Sequence, residues 1–217
     1  MPDTLHPARS RSALEIPPDH TFDACLFDCD GTLIDSMPWH YRAWNAALRV
    51  GGADFDFPPD LFQSLAGMET ARIVLRLNDR FRSRIDPAAV VRAKREWYLA
   101  NIDGMREIQP VADFARRIAK THPVAVVSGG LHSVVEKSLA SAGMAGLFPV
   151  IVTFEDVANG KPAPDMFLLA AERLGVAPQR CLVFEDGQLG IDGALAAGMR
   201  VVRVPPAPFA EDREGTP

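Results

Sequence analysis

Two kinds of stretch alternate along this chain. Short runs that are apolar throughout, FDACLF (22–27), VAVVS (124–128), VIVTF (150–154), CLVFE (181–185) and RVVRV (200–204), are rich in Val and Phe and predict β-strands. Between them VADFARRIAK (111–120), SVVEKSLASAG (133–143), DMFLLAAERLG (165–175) and IDGALAAGM (191–199) read as helices. Several stop on a glycine, Gly143, Gly175 or Gly198, as helices with a left-handed terminal residue do. Strands without a polar face, alternating with helices, predict an α/β fold whose parallel sheet is covered on both faces. Such sheets bind ligands at the carboxyl ends of their strands.

Residues 37–106 break the alternation. They hold no convincing strand, only helical stretches: WHYRAWNAALRV, PDLFQSLAG, TARIVLRLNDRF and DPAAVVRAKREWYLANI. An all-helical block directly after the first strand and its loop predicts a small inserted cap domain. It should lie over the strand ends, where both of its connections emerge. The expected division is a flexible N-terminal arm (1–20), a core (21–36 and 107–217) and a helical cap (37–106).

Composition narrows the class. A chain of 217 residues, 47% hydrophobic and 24% charged, suits one core with a sizeable insertion. A net charge of −5 argues against nucleic acid as a partner. No apolar run approaches the length of a membrane helix, and the N-terminus lacks the apolar stretch of a secretory signal. Cys25, Cys29 and Cys181 are an odd number without metal-like spacing. A cytoplasmic, monomeric protein is expected. Cys29, between Asp28 and Asp30, is read as packing because no histidine nearby in sequence would activate it.

Polar residues then line up at the strand ends: Asp28-Cys29-Asp30-Gly31-Thr32 after the first, Ser128-Gly129-Gly130 at the second, Lys161 in GKPAPD after the third, and Glu185-Asp186-Gly187 at the fourth. Each alone reads as a turn, a helix cap or a surface charge. Parallel topology gathers all four on one edge. Asp28, Asp30, Glu185 and Asp186 would set four carboxylates against one lysine, so a cation is expected among them. An all-oxygen ligand set with room for water and phosphate suits Mg²⁺.

DCDGT, the serine after VAVV, the lysine of GKPAPD and the acidic pair of FEDGQLGIDGALAAGM closely resemble the four motifs of the haloacid dehalogenase (HAD) superfamily, over about residues 22–204. The stretches GKPAPDMFLLAAERLGV and FEDGQLGIDGALAAGM look like its beta-phosphoglucomutase-like subgroup. That resemblance implies a Rossmann-like core with a helical cap after the first strand. It makes Asp28 the nucleophile that forms an aspartyl-phosphate, and Asp30 the general acid and base. To hold a proton near neutral pH, Asp30 should have a raised pKa, with a neighbouring carboxylate pushing it up. Asp28, Asp186, Glu185 and the main-chain oxygen of Asp30 would hold Mg²⁺. Ser128 and Lys161 would bind phosphoryl oxygens and offset charge. Gly31 and Gly129 would let backbone approach the phosphate, Thr32 would contact substrate or secure the loop, and a cis Lys161–Pro162 bond is expected. Asp30 argues against the dehalogenase branch, which lacks the second aspartate. Neither GxxxxGK[ST] nor GxGxxG occurs.

Within the subgroup two activities compete, hydrolysis of small sugar phosphates and the beta-phosphoglucomutase reaction. A mutase grips a second phosphate with a cap arginine and a Ser-Lys-Asn run. Here that run is Gly130-Leu131-His132 and the arginine position holds Thr70, with Arg72 two residues on as a substitute. A weaker charged grip favours hydrolysis. His40 and Lys94 match cap residues that position substrate, and Trp39, Trp44 and Trp97 are assigned to the cap core. A non-catalytic phosphate-ligand binding protein is the reading from another class.

Overall fold

The computed structural model describes residues 14–206. Its core is a five-stranded parallel sheet of β1 (Ala24–Phe27), β2 (Val124–Ser128), β3 (Val150–Thr153), β4 (Cys181–Glu185) and β5 (Arg200–Arg203), in the order β3-β2-β1-β4-β5. Helices α1 (Met37–Val50), α2 (Pro59–Ser64), α3 (Thr70–Phe81) and α4 (Pro87–Ala100) form the insertion after β1. The core continues with α5 (Gln109–Ile118), α6 (His132–Ser141), α7 (Asp165–Leu174) and α8 (Gln188–Ala196). The α/β architecture and the helical insertion are as the sequence pattern predicted. Element ends shift by up to three residues, as in α8, read over 191–199 and found at Gln188–Ala196; α5 starts at Gln109 because Pro110 suits a first turn.

Alternation along the strands explains the two covered faces. Ala24 and Leu26 of β1 face a cluster with Phe167, Ala170 and Ala171 of α7, where small residues let the helix approach closely. Cys25 and Phe27 face the other side, with Phe114 and Ile118 of α5 and Val135 and Leu139 of α6. The Phe27 ring stacks on Phe184 at 4.9 Å, and Phe114 tilts against Phe184 at the same separation. Burying one such ring contributes about 1.5–3 kcal/mol.

The cap has its own core, in which Trp44 meets the edge of Phe57 at 5.3 Å above Phe62, Val74 and Leu77. Trp39 and Trp97 differ from the expectation. They pack against the main cluster across the seam, because α1 and α4 present those sides to the α/β unit. Tyr98 Oη, 3.1 Å from Ser138 Oγ, and Ser141 Oγ, 2.8 Å from the Ile102 carbonyl, tie α4 and its exit to α6. The arm expected over residues 1–20 falls outside the described residues as far as 13. Leu14 and Ile16 rest against the core, and Asp19 pairs with Arg117 at 2.6 Å. Among the described residues no helix is long and apolar enough to cross a membrane.

Candidate active site

The order in which strands are added reverses between β1 and β4. From β1 the chain builds outward to β2 and β3, then returns to add β4 and β5 on the other side. Ligand crevices form at such a switch point. Asp28 follows β1 there, its amide bonded to the Phe184 carbonyl at 2.9 Å, and Glu185 closes β4 beside it. Lys161 reaches in from the loop after β3, preceding a cis Pro162. Its Nζ donates to Asp28 Oδ1 and to Glu185 Oε2, both at 2.7 Å, and its side chain is fully buried.

One lysine does not balance the carboxylates around it. Asp28, Glu185 and Asp186 each offer an oxygen within 4.8 Å of the others. Burial and the neighbouring charges push Glu185 up to about 8 and Asp186 up to about 7, and burial likewise raises Asp28. Burial works against the Lys161 charge, but Asp28 and Glu185 outweigh it and hold the ammonium above its usual range. An uncompensated acidic cluster of oxygen donors, nearly closed to water, fits a hard divalent cation.

Asp30 has a different environment from the one its sequence neighbours suggest. Its Oδ1 accepts from Ser36 Oγ at 2.6 Å, and His40 Nε2 lies 2.9 Å away, off the line of a hydrogen bond, with burial lowering the pKa of the imidazole. Burial pushes its carboxyl up, but His40, Ser36 and Lys94 together pull it down to about 2. The raised value expected from an adjacent carboxylate is therefore corrected. Groups from the cap, distant in sequence, outweigh that repulsion. His40 is held by its ring stacking on Tyr98, 4.3 Å between centroids, and by Lys94 Nζ 3.3 Å from Nδ1. Burial lowers Lys94 to about 8, with its ammonium 5.4 Å over the Trp44 ring.

The other expected residues separate into those that meet the crevice and those that do not. Ser128 is buried at the end of β2, its Oγ accepting from the Gly130 amide at 3.1 Å. Gly129 touches the cap: a Cβ there would lie 2.3 Å from the Gly67 carbonyl, so only glycine lets the cap loop seat. Thr32 is fully buried and turned away from the crevice, donating to Asp186 Oδ1 at 2.8 Å. Gly31, at φ 90°, sits where a Cβ would strike Asp186 Oδ2 at 2.3 Å. Arg72 is exposed and does not line the crevice. It is two residues from Thr70, about 200° around α3, so the turn that directs Thr70 inward directs Arg72 out. Burial beside Asp30 and Asp28 raises the Cys29 thiol well above its ordinary value, as suits a packing residue.

Cap and core together enclose about 660 Å³, partly open to solvent, between Asp28, Ser128 and Asp186 below and Trp44, Phe62 and Thr70 above. Three contributors were not legible in sequence. Ser36 reads as a helix cap, yet makes no cap bond and serves Asp30. Tyr98 reads as core and also stacks on His40. Gly190 reads as an ordinary helix glycine, but a Cβ there would lie 2.0 Å from Glu185 Oε2. Elsewhere Gly→Ala in a helix gains about 0.5–1 kcal/mol. Gly190→Ala is expected to lower the melting temperature instead, by driving Glu185 off Lys161. A rise in thermal denaturation would sink that account.

A family model described as haloacid dehalogenase-like hydrolase matches residues 22–198. The chain is 36% identical over 179 residues to a fructose-1-phosphate phosphatase of Escherichia coli (strain K12), covering 82% of this chain and 94% of that one. It is 36% identical over 181 residues to hexitol phosphatase A of the same organism, covering 82% and 81%. The crystal structure of CbbY from Rhodobacter sphaeroides in complex with phosphate superposes with a TM-score of 0.75 at 26% identity, covering 83% of this chain and 84% of that one.

Proposed function

We propose that this chain, which belongs to the haloacid dehalogenase-like hydrolases, is a Mg²⁺-dependent phosphatase that hydrolyses small sugar phosphates through a phosphorylated Asp28. The observation that carries the reading is the Asp28 carboxylate held on Lys161 at 2.7 Å, among Glu185 and Asp186, at the base of a cap-covered cavity. The relatives whose names specify sugar or hexitol phosphatases support the substrate class.

Each residue then has a physical task. Lys161 engages one oxygen of Asp28 and leaves the other for phosphorus. As the Asp28–phosphorus bond forms, the bond to the leaving oxygen breaks and that oxygen takes a proton from Asp30. Asp30 is ionised in the empty site and takes up one proton from solvent as the dianionic phosphate binds, because the negative charge seated beside it raises its pKa. Water then attacks the aspartyl-phosphate, gives its proton to Asp30 and releases inorganic phosphate, restoring Asp28. Ser128 offers its hydroxyl to a phosphoryl oxygen. Asp28, Glu185, Asp186 and the main-chain oxygen of Asp30 would hold Mg²⁺, which supplies fixed positive charge against the phosphate. Ser36 and His40 hold the Asp30 carboxylate, and the cap excludes bulk water.

The beta-phosphoglucomutase alternative lacks the arginine of its second phosphate grip, since Thr70 faces the cavity at that position and Arg72 points outward. Phosphorus NMR separates the two. With Mg²⁺ and a panel of sugar monophosphates, including beta-glucose 1-phosphate with a trace of the 1,6-bisphosphate, free phosphate that disappears with EDTA is expected. Glucose 6-phosphate formed without free phosphate would instead establish the mutase.

A further inference from the structure

A second, partly open cavity adjoins the first, between α3 and α4 of the cap and α6 of the core. Both cavities are lined by Asp30, His40, Thr70, Lys94 and Gly130, so the two meet at these residues. Asp28, Ser128, Glu185 and Asp186 line only the first. A phosphate reacting at Asp28 sits in the first cavity, and a substrate that extends past Asp30, Thr70 and Lys94 reaches the second.

The walls specify that group. Beyond the shared residues they are largely apolar, with Val91, Tyr98, Leu131, Val134 and Phe154. The charged groups cancel: Asp30 and Glu69 against Lys94 and Arg95. Lys94 is engaged by His40 and the Trp44 face, and Arg95 is exposed. A second phosphate would enter beside the Asp30 and Glu69 carboxylates, which repel it, while the Lys94 ammonium is already engaged and Arg95 extends into solvent. Uncharged hydroxyls meet the opposite situation. Glu69 is half-buried at the start of α3, makes no cap hydrogen bond, and has no ion pair among the described residues. Its carboxylate is free to accept from hydroxyls, Thr70 beside it can donate or accept, and the apolar walls suit carbon–hydrogen faces.

We infer that the second chamber holds the non-reacting end of the substrate, that this end is an uncharged, hydroxylated carbon chain, and that Glu69 selects it over an end bearing a second phosphate. The inference rests on the phosphatase reading for which end reacts, and what it adds is the role of Glu69.

Binding without turnover tests it separately from catalysis. Asp28→Asn protein, alone and combined with Glu69→Lys or Glu69→Gln, is titrated calorimetrically with sorbitol 6-phosphate and with fructose 1,6-bisphosphate. The Asp28→Asn protein is expected to bind the monophosphate at least about tenfold more tightly. Glu69→Lys is expected to remove or reverse that preference, and Glu69→Gln, which keeps the shape and drops the charge, to shift it the same way by a smaller factor. Equal or tighter binding of the bisphosphate before Glu69 is changed, or a ratio that neither Glu69 substitution moves, overturns the inference. Turnover of p-nitrophenyl phosphate by the unaltered protein is measured alongside. Its absence would count against the phosphatase reading, while the binding ratio still decides the role of Glu69.

Discussion

Asp28→Asn lowers phosphate release at least about 10⁴-fold, or about 5 kcal/mol of transition-state stabilisation, and leaves the fold intact. An amide oxygen is a poor nucleophile towards phosphorus, and among the described residues no other side chain is placed to replace it. Cys29 is buried with its thiol protonated, and Asp30 is held by Ser36 and His40. The fold is spared because the substitution removes one of three mutually repelling carboxylates, while Lys161 keeps its bond to Glu185. Steady-state phosphate release, read beside a thermal melt, checks both halves. Turnover above about one per cent of normal would mean that the nucleophile lies elsewhere. Unchanged cellular function with turnover abolished would favour the binding-protein reading.

Lys161→Met is expected to damage stability as well as activity. The ammonium is the shared partner of Asp28 and Glu185, and all three side chains are nearly closed to water. Removing one member of a buried ionic group leaves its partners' desolvation uncompensated, which costs about 3–5 kcal/mol. Methionine fills the volume, so the loss is electrostatic rather than a cavity. Activity falls with it, because Asp28 would be driven towards its protonated, non-nucleophilic form. Added Mg²⁺ is expected to restore part of the stability, since a cation among Asp28, Glu185 and Asp186 replaces the missing charge. Urea unfolding with and without Mg²⁺ measures this. A midpoint that neither falls on substitution nor rises with the metal would remove Lys161 from the site's charge balance.

Much of the fold and part of the site were legible from local signals. Short Val- and Phe-rich runs specify strands, and glycine stops such as Gly175, observed left-handed at φ 68°, end helices. Asp86, the first residue of the helical stretch DPAAVVRAKREWYLANI, accepts from the Ala88 and Ala89 amides and caps the start of α4. Asp28, Ser128, Lys161 and the Glu185-Asp186 pair each had an ordinary reading alone and stood out together, because parallel topology gathers them on one edge. Ser36 and Gly190 did not, because their local patterns already had sufficient explanations as a helix start and a helix interior. Arg72 misled for a related reason: proximity in sequence to the cap wall does not fix which side of α3 a residue occupies.

By itself, then, the order of residues determined the parallel α/β core, the helical insertion after β1 and the set of strand-end groups, since each depends on periodicity and adjacency. Tertiary structure alone decided the charge state of Asp30, the outward position of Arg72, the turning of Thr32 onto Asp186 and the closeness of Gly129 to Gly67. These depend on distances between segments such as 28–36, 66–70 and 94–98, which helix rotation and cap docking set. A pKa responds to every charge within several ångströms in space, and sequence neighbours are only some of those charges.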